Sequence, residues 1–323
     1  MTNKIEISHK TIIFTVALLI ALWALVQIRD ILFLVFIAFI LMAALRPLVE
    51  GLAKLHIPRI LSVLVIYTVV FGVFGVSLAG TIPTLIAQST NFIRDLPIFI
   101  ERVLPYWNID ARSLAQQIAP ISENIVRLTV GLFSNIFTTL TVLVFAFYFL
   151  LERRHVEAML AEMMGDGAAA QVLEILRKIE SRLGAWVRGQ LILMVIVGIL
   201  VYIGLTLLKV EFVLPLAIIA GILEIVPTIG PIISAVPAVF VALATSPFLA
   251  LSVVALYFIV QQLENNLMVP IVLSKSTGLS PIITIFSLML GVRFLGITGA
   301  ILAVPIVLVL QVVIGAFLNK PTK

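Results

Sequence analysis

The sequence predicts an all-α, polytopic integral membrane protein, and its composition carries that prediction. Hydrophobic residues make up 62% of the 323 residues, whereas charged residues make up only 11%. A soluble domain has close to half apolar residues and about a quarter charged ones, so a soluble chain of this size could not remove its apolar side chains from water. Many of the apolar residues also form runs of roughly 20, the length that crosses a bilayer as a helix.

The N-terminal region, residues 1–85, is predicted to hold three membrane helices. These are Thr11–Ile28, Ile31–Leu45 and Ile60–Leu85. The first two form a closely spaced pair, separated only by Arg29 and Asp30. Arg46-Pro47 is expected to end the second helix, because proline has no amide donor for the preceding turn.

Two amphipathic segments interrupt the apolar runs. Residues 86–129 carry charges of both signs, with apolar residues at helical spacing, and are predicted to form helices on the outer side of the membrane. A membrane helix at residues 130–151 follows. Residues 152–189 form the second segment, on the cytoplasmic side, and the apolar face of its helix is expected to lie in the membrane interface or to pack against a neighbour. That face comprises Val172, Leu176, Ile179, Leu183 and Trp186.

The basic residues predict the orientation of the chain. Lysines and arginines gather near the N-terminus, in residues 46–59 and in residues 152–188, more than in the segments between them. Loops rich in lysine and arginine tend to stay in the cytoplasm. Both termini, including the tail at residues 318–323, are therefore predicted to be cytoplasmic, and the protein is expected in the cytoplasmic membrane.

The C-terminal region, residues 190–317, is predicted to be a transport core. It opens with a full span at 190–208, but the apolar segments that follow are short, and residues 224–237 read EIVPTIGPIISAVP. Proline breaks a helix, and in lipid a broken backbone persists only where protein covers it or water reaches it. This stretch is predicted to be a broken helix or the tip of a re-entrant hairpin. The alternative is a tight turn at the membrane surface between two short spans.

Two carboxylates stand out in this apolar region. Glu224 and Glu264 are the only acids after Glu211. Ionisable side chains are costly inside a bilayer, so they usually face the interior of a helix bundle and serve a function there. Gln261 and Asn265 share a helical face with Glu264 by their spacing. The alternative is that both acids lie among the lipid headgroups.

The predicted path for a solute and for coupling ions or protons combines these acids with neighbouring amides, prolines and a glycine. Arg293 is the candidate counter-charge for Glu264, and it lies in a glycine-rich stretch, residues 291–299, that is predicted to form a turn. The candidate residues are Glu224, Pro227, Gly230, Pro231, Gln261, Glu264, Asn265, Asn266 and Arg293.

Other classes of function have little support in the sequence. The chain has no cysteine and only three histidines, which stand among charged residues at the edges of apolar runs, so neither a metal site nor a cofactor is expected. No P-loop, HExxH or GxSxG pattern occurs, which argues against an enzyme. The net charge of +5 comes from short segments between helices, so nucleic acid is not an expected partner.

Three groups of motifs together resemble the AI-2E (autoinducer-2 exporter) family of transporters. They are Leu45–Val49 with His56–Ile60, then Leu223–Pro237, and then Gln262–Asn266 with Pro270 and Gly296–Pro305. The resemblance runs from about residue 10 to residue 317, and the motifs are specific as an ordered set. Many members carry an aspartate near the central motif, whereas this chain has Glu224 followed by Ile225 and Val226.

The resemblance implies a cytoplasmic-membrane permease with about eight membrane segments that forms homo-oligomers, with pentamers expected. It implies export of a small polar solute or signal such as autoinducer-2, and the two carboxylates are expected to couple that movement to protons. Antiport of sodium or lithium against protons is the alternative function. A channel-like or scaffold oligomer without coupled transport is a second alternative.

Overall fold

The computed structural model describes residues 9–72, 136–273 and 279–318, together with the isolated positions 87, 88, 91 and 94. Within these residues the chain is helical and contains no β-strand, so the predicted all-α fold is confirmed. The predicted outer segment, residues 86–129, lies outside the described residues apart from those four positions.

The structure describes eleven α-helices and one π-helical turn. In chain order they are α1 His9–Gln27, α2 Arg29–Ala53, α3 Arg59–Gly72, α4 Ile136–Leu151, α5 Arg153–Met164, α6 Asp166–Leu207, α7 Val213–Leu223, α8 Ile229–Thr245, α9 Pro247–Leu263, a π-helical turn Glu264–Met268, α10 Val269–Leu273 and α11 Pro281–Leu318. Five helical stretches in the described part of the chain are long and apolar enough to cross a bilayer. The prediction of a multi-pass membrane protein is thereby confirmed.

Helix α2 continues through Pro47 to Ala53, so the prediction that Arg46-Pro47 ends it is wrong. Proline deprives the carbonyl four residues earlier, that of Ala43, of its usual amide donor. The Arg188 guanidinium of α6 replaces that donor, with Nη1 3.4 Å from the Ala43 oxygen and 3.1 Å from the Ala44 oxygen. The helix therefore continues past Pro47, because Arg188 donates to the Ala43 carbonyl that would otherwise have no hydrogen-bond donor.

The C-terminal half of α2 and the N-terminal half of α6 are joined by a close contact and an ionic network. A methyl group on Gly184 of α6 would overlap the Ala43 carbonyl of α2. One turn away, Arg46 pairs with the buried Glu180 and also contacts Glu50, at 2.6 Å. The apolar face predicted for residues 172–186 also packs here, since Ile179, Leu183 and Trp186 are buried in a cluster with residues of α2 and α11.

Helices α7 and α8 form a hairpin, the first hairpin, that packs on α6. Helix α7 has 11 residues, about 16 Å of helix, whereas the hydrocarbon core of a bilayer is about 30 Å thick. A tight contact holds its tip, because a methyl group on Gly230 would overlap the Leu223 carbonyl. An arm of this length does not cross a bilayer, which favours a re-entrant hairpin over two spans joined at the surface.

Helix α11 is a second hairpin. Gly296 has φ 61° and ψ −139°, a conformation that glycine adopts readily and other residues rarely do. Across this turn, a methyl group on Gly291 would overlap the Gly299 carbonyl and lie 3.2 Å from the Ala303 Cβ. Residues 291 and 303 of a straight helix would be about 18 Å apart, so the two arms run back along each other. The structure thus contains the turn predicted for residues 291–299.

Candidate functional site

Three buried polar side chains from three helices meet at the tip of the first hairpin. Gln190 belongs to α6, Glu224 caps the end of α7, and Glu264 follows α9. Glu224 is fully buried, and Glu264 and Gln190 are each 3% exposed. The structure thus brings together the two acids singled out in the sequence, and it keeps both away from the surface of the molecule.

Gln190 supports the backbone where α7 ends. Its Nε2 donates a hydrogen bond of 2.6 Å to the Glu224 carbonyl oxygen. The last carbonyls of a helix have no amide partner within the helix, and Pro227 follows too closely for the helix to continue. Sequence reasoning missed this residue by treating it as the first residue of a membrane span. The available signal was an amide side chain at the very start of an apolar run.

The two carboxyl groups lie close enough to interact with each other. The Gln261 Nε2 donates a hydrogen bond of 3.2 Å to Glu264 Oε2. Both carboxyl oxygens of Glu224 and the Oε1 of Gln190 are buried without a hydrogen-bond partner among the described residues. Over the same residues, no lysine or arginine forms an ion pair with either acid. A buried, oxygen-rich group of this kind can bind a proton or a small cation.

A π-helical turn at Glu264–Met268 determines which polar side chains face this cluster. The wider turn shifts the faces of the helix relative to a regular α-helix. Glu264 therefore points inward and contacts Gln261, whereas Asn265 and Asn266 are exposed. The predicted shared face holds for Gln261 and Glu264 but does not bring Asn265 into the buried cluster.

The remaining predicted residues lie in two different places. Pro227 is half-buried in the turn of the first hairpin, and Gly230 and Pro231 are buried at the start of α8, where they shape the tip beside Glu224. Arg293 is exposed on α11 and forms no ion pair with Glu264 within the described residues. The structure therefore does not bear out Arg293 as the counter-charge.

A second polar link, between α8 and α9, went unnoticed in the sequence. The Tyr257 hydroxyl donates to the Ser234 carbonyl at 3.3 Å, and the Ser234 hydroxyl donates to the Pro231 carbonyl at 3.0 Å. Both side chains are buried. The Tyr257 hydrogen bond fastens the returning arm of the hairpin, α8, to α9.

The comparisons with known proteins agree with the motifs. The profile of the AI-2E family transporters matches residues 12–319. The chain is 30% identical over 311 residues to YueF of Bacillus subtilis, covering 88% of this chain and 84% of the relative. It is 28% identical over 307 residues to YrrI of the same organism, covering 90% and 86%. It is also 25% identical over 293 residues to the AI-2 transport protein TqsA of Escherichia coli, covering 85% and 83%.

Proposed function

Because this chain belongs to the AI-2E transporter family, we propose that it is a proton-coupled permease that moves a small polar solute across the cytoplasmic membrane. Glu224 and Glu264 bind the coupling proton in this proposal. The observation that supports it is the pair of buried carboxyl groups, which face each other without a basic partner in the described part of the chain.

Such a pair changes its interactions when a proton binds or leaves. Two adjacent carboxylates in a medium of low dielectric repel each other strongly, and a single proton between them converts repulsion into a hydrogen bond. Glu224 belongs to the hairpin tip and Glu264 to the end of α9. Proton binding would therefore strengthen the contact between these two elements, and proton loss would weaken it.

The class of solute rests on the polar side chains around the pair and on the relatives. Amides are the main polar groups beside the acids, which suits a neutral solute rich in hydroxyl or carbonyl groups. The name of the TqsA relative includes AI-2 as the transported solute. AI-2 is therefore the first solute to test for this chain.

The test uses the purified protein in proteoliposomes with an imposed pH gradient. The wild type is expected to take up labelled AI-2 when the gradient is present, and Glu264→Gln should fall to the level of empty liposomes. Glu211→Gln is the matched control, because Glu211 is an exposed acid beyond the end of α6. Equal flux through the wild type and Glu264→Gln would remove Glu264 from the mechanism.

Antiport of sodium or lithium against protons is a second candidate, and the unpartnered oxygens of Glu224 and Gln190 favour it. Hard cations take carboxylate and carbonyl oxygens as ligands. Antiport predicts that added sodium or lithium releases protons from acid-loaded proteoliposomes, as read by recovery of a quenched pH dye. An unchanged dye signal with both ions would argue against antiport while leaving solute transport to be measured separately.

We also propose that both termini are cytoplasmic and that the protein forms a homo-oligomer. The distribution of basic residues supports cytoplasmic termini, and protease protection of a C-terminal tag in sealed vesicles would measure this. The family resemblance supports a homo-oligomer, and the mass of the detergent-solubilised protein would measure its size. A tag digested from the outer side, or a monomeric mass, would contradict the corresponding proposal.

A further inference from the structure

The carboxyl pair lies nearer to the ionic network between α2 and α6 than to the end of α6 at Leu207. Gln190, which contacts Glu224, is separated from the outer end of α6 at Leu207 by about 25 Å of helix. In the other direction, only about 15 Å of helix separates Gln190 from Glu180, which pairs with Arg46 in the ionic network. The cluster is thus closer to this ionic network, on the side that the basic residues assign to the cytoplasm, than to Leu207.

The space toward the outer end is filled by an apolar core. Helices α6 to α9 bury Val201, Leu205, Leu216, Val241 and Val253 against one another, each with no more than 1% exposed. The buried polar side chains beside this core are occupied in hydrogen bonds: the Ser234 hydroxyl donates within α8, and the Tyr257 hydroxyl donates from α9 to α8. Within the described residues, no polar route connects the carboxyl pair with the outer side.

The opposite side presents amides instead. Gln261 is half-buried and touches Glu264, and Asn265, Gln262 and Asn266 are exposed around it. Amide groups that face hydrocarbon lose their hydrogen bonds to water at a cost of several kcal/mol each. A helix that presents several of them beside a buried acid therefore needs water, or another protein surface, to cover them.

We propose that water reaches Glu264 from the cytoplasmic side along Gln261 and Asn265, and that the apolar core seals the pair from the outer side in this conformation. This inference rests on the proposed function and adds the side from which the coupling proton arrives. The amides hold the water, and the π-helical turn directs Glu264 inward and Asn265 outward. Glu224 is the titratable group that faces Glu264, and Gln261 is the polar neutral one.

Single-cysteine labelling tests the access route, since the natural chain has no cysteine. Asn265→Cys is treated with a charged, membrane-impermeant thiosulfonate in inside-out and in right-side-out vesicles, and labelling is read as a mass shift. We expect labelling from the cytoplasmic face at a rate at least about tenfold that of Ile259→Cys. Ile259 is an exposed apolar residue of the same helix, and lipid should shield a thiol at that position. Asn266→Cys repeats the measurement should Asn265→Cys fail to fold.

Three results would overturn the inference. These are labelling of residue 265 from the outer face, equal rates at residues 265 and 259, and oxidative cross-linking of residue 265 or 266 between two copies, which would make this face a protein interface. The assay requires no transport activity. If residue 265 is labelled from the cytoplasmic face but the protein shows no solute flux, only the proposed function is rejected. If proton-coupled flux is normal but residue 265 is labelled from the outer face, only the access route is rejected.

Discussion

The two hairpins of the C-terminal region are built alike but carry their charges differently. In both, glycines allow the arms to approach until a methyl group would overlap a backbone carbonyl, at Gly230 in the first hairpin and at Gly291 in the second. Glu224 at the tip of the first is fully buried, whereas Arg293 near the turn of the second is exposed. Tight turning alone therefore does not create a polar site.

The difference comes from the neighbours of each tip. The first tip is held by Gln190 from α6 and faces Glu264 after α9, so side chains from two other helices adjoin Glu224. At the second turn, a methyl group added to Gly296 would meet no atom of the described residues within 4 Å. A charge costs least in a membrane protein where other elements solvate it. This difference supports the proposal that the first hairpin binds the proton or cation and that the second serves in packing.

The largest expected change in transport should distinguish Glu224 of the first hairpin from Arg293 of the second. Glu224→Gln cannot release a proton, so proton-driven flux in proteoliposomes should fall to the background of empty liposomes. Arg293→Gln, an exchange of similar size in the other hairpin, should keep flux within about twofold of the wild type, as expected for an exposed residue without a buried partner. Loss of flux in Arg293→Gln together with normal flux in Glu224→Gln would reverse the assignment.

A smaller effect concerns the stability of the first tip. Gly230→Ala sets a methyl group against the Leu223 carbonyl, and relieving that overlap should cost about 2 kcal/mol of unfolding free energy. The measurement is reversible unfolding in mixed micelles. Gly315→Ala on α11 is the control, since a methyl group there meets nothing within 4 Å. A Gly230→Ala protein as stable as the control would show that the tip rearranges freely.

Gly291→Ala extends the comparison to the second hairpin. Its methyl group would overlap the Gly299 carbonyl, so we expect a similar loss of stability, about 2 kcal/mol. Because that hairpin holds no buried acid, the flux that remains should keep its dependence on the pH gradient. A variant that folds but transports without a pH gradient would indicate that the second hairpin contributes to coupling.

The sequence was sufficient for those features that depend on local chemistry. Prolines and a glycine inside an apolar run predicted the bend beside Glu224, and the rarity of acids pointed to Glu264. Contacts between segments that are distant in the chain could not be predicted from the sequence. Helix α2 passes Pro47 because Arg188, far along the chain, donates to the Ala43 carbonyl. The π-helical turn places Asn265 and Glu264 on different faces. No pattern in the sequence around it predicts this departure from regular helical spacing.

The smallest effect should come from Gln190, the residue that the sequence did not single out. Gln190→Leu keeps the approximate size of the side chain but removes the donor to the Glu224 carbonyl. Hydrogen bonds between membrane helices are worth about 1 kcal/mol, because the unfolded chain in the membrane also finds partners, so the loss of stability should be of that order. Gln171→Leu is the control, as Gln171 is exposed on α6, away from the carboxyl pair. If Gln190 only supports the backbone, flux should fall in proportion to the folded fraction. A fall in flux at full stability would instead mean that its free Oε1 takes part in binding the proton or cation.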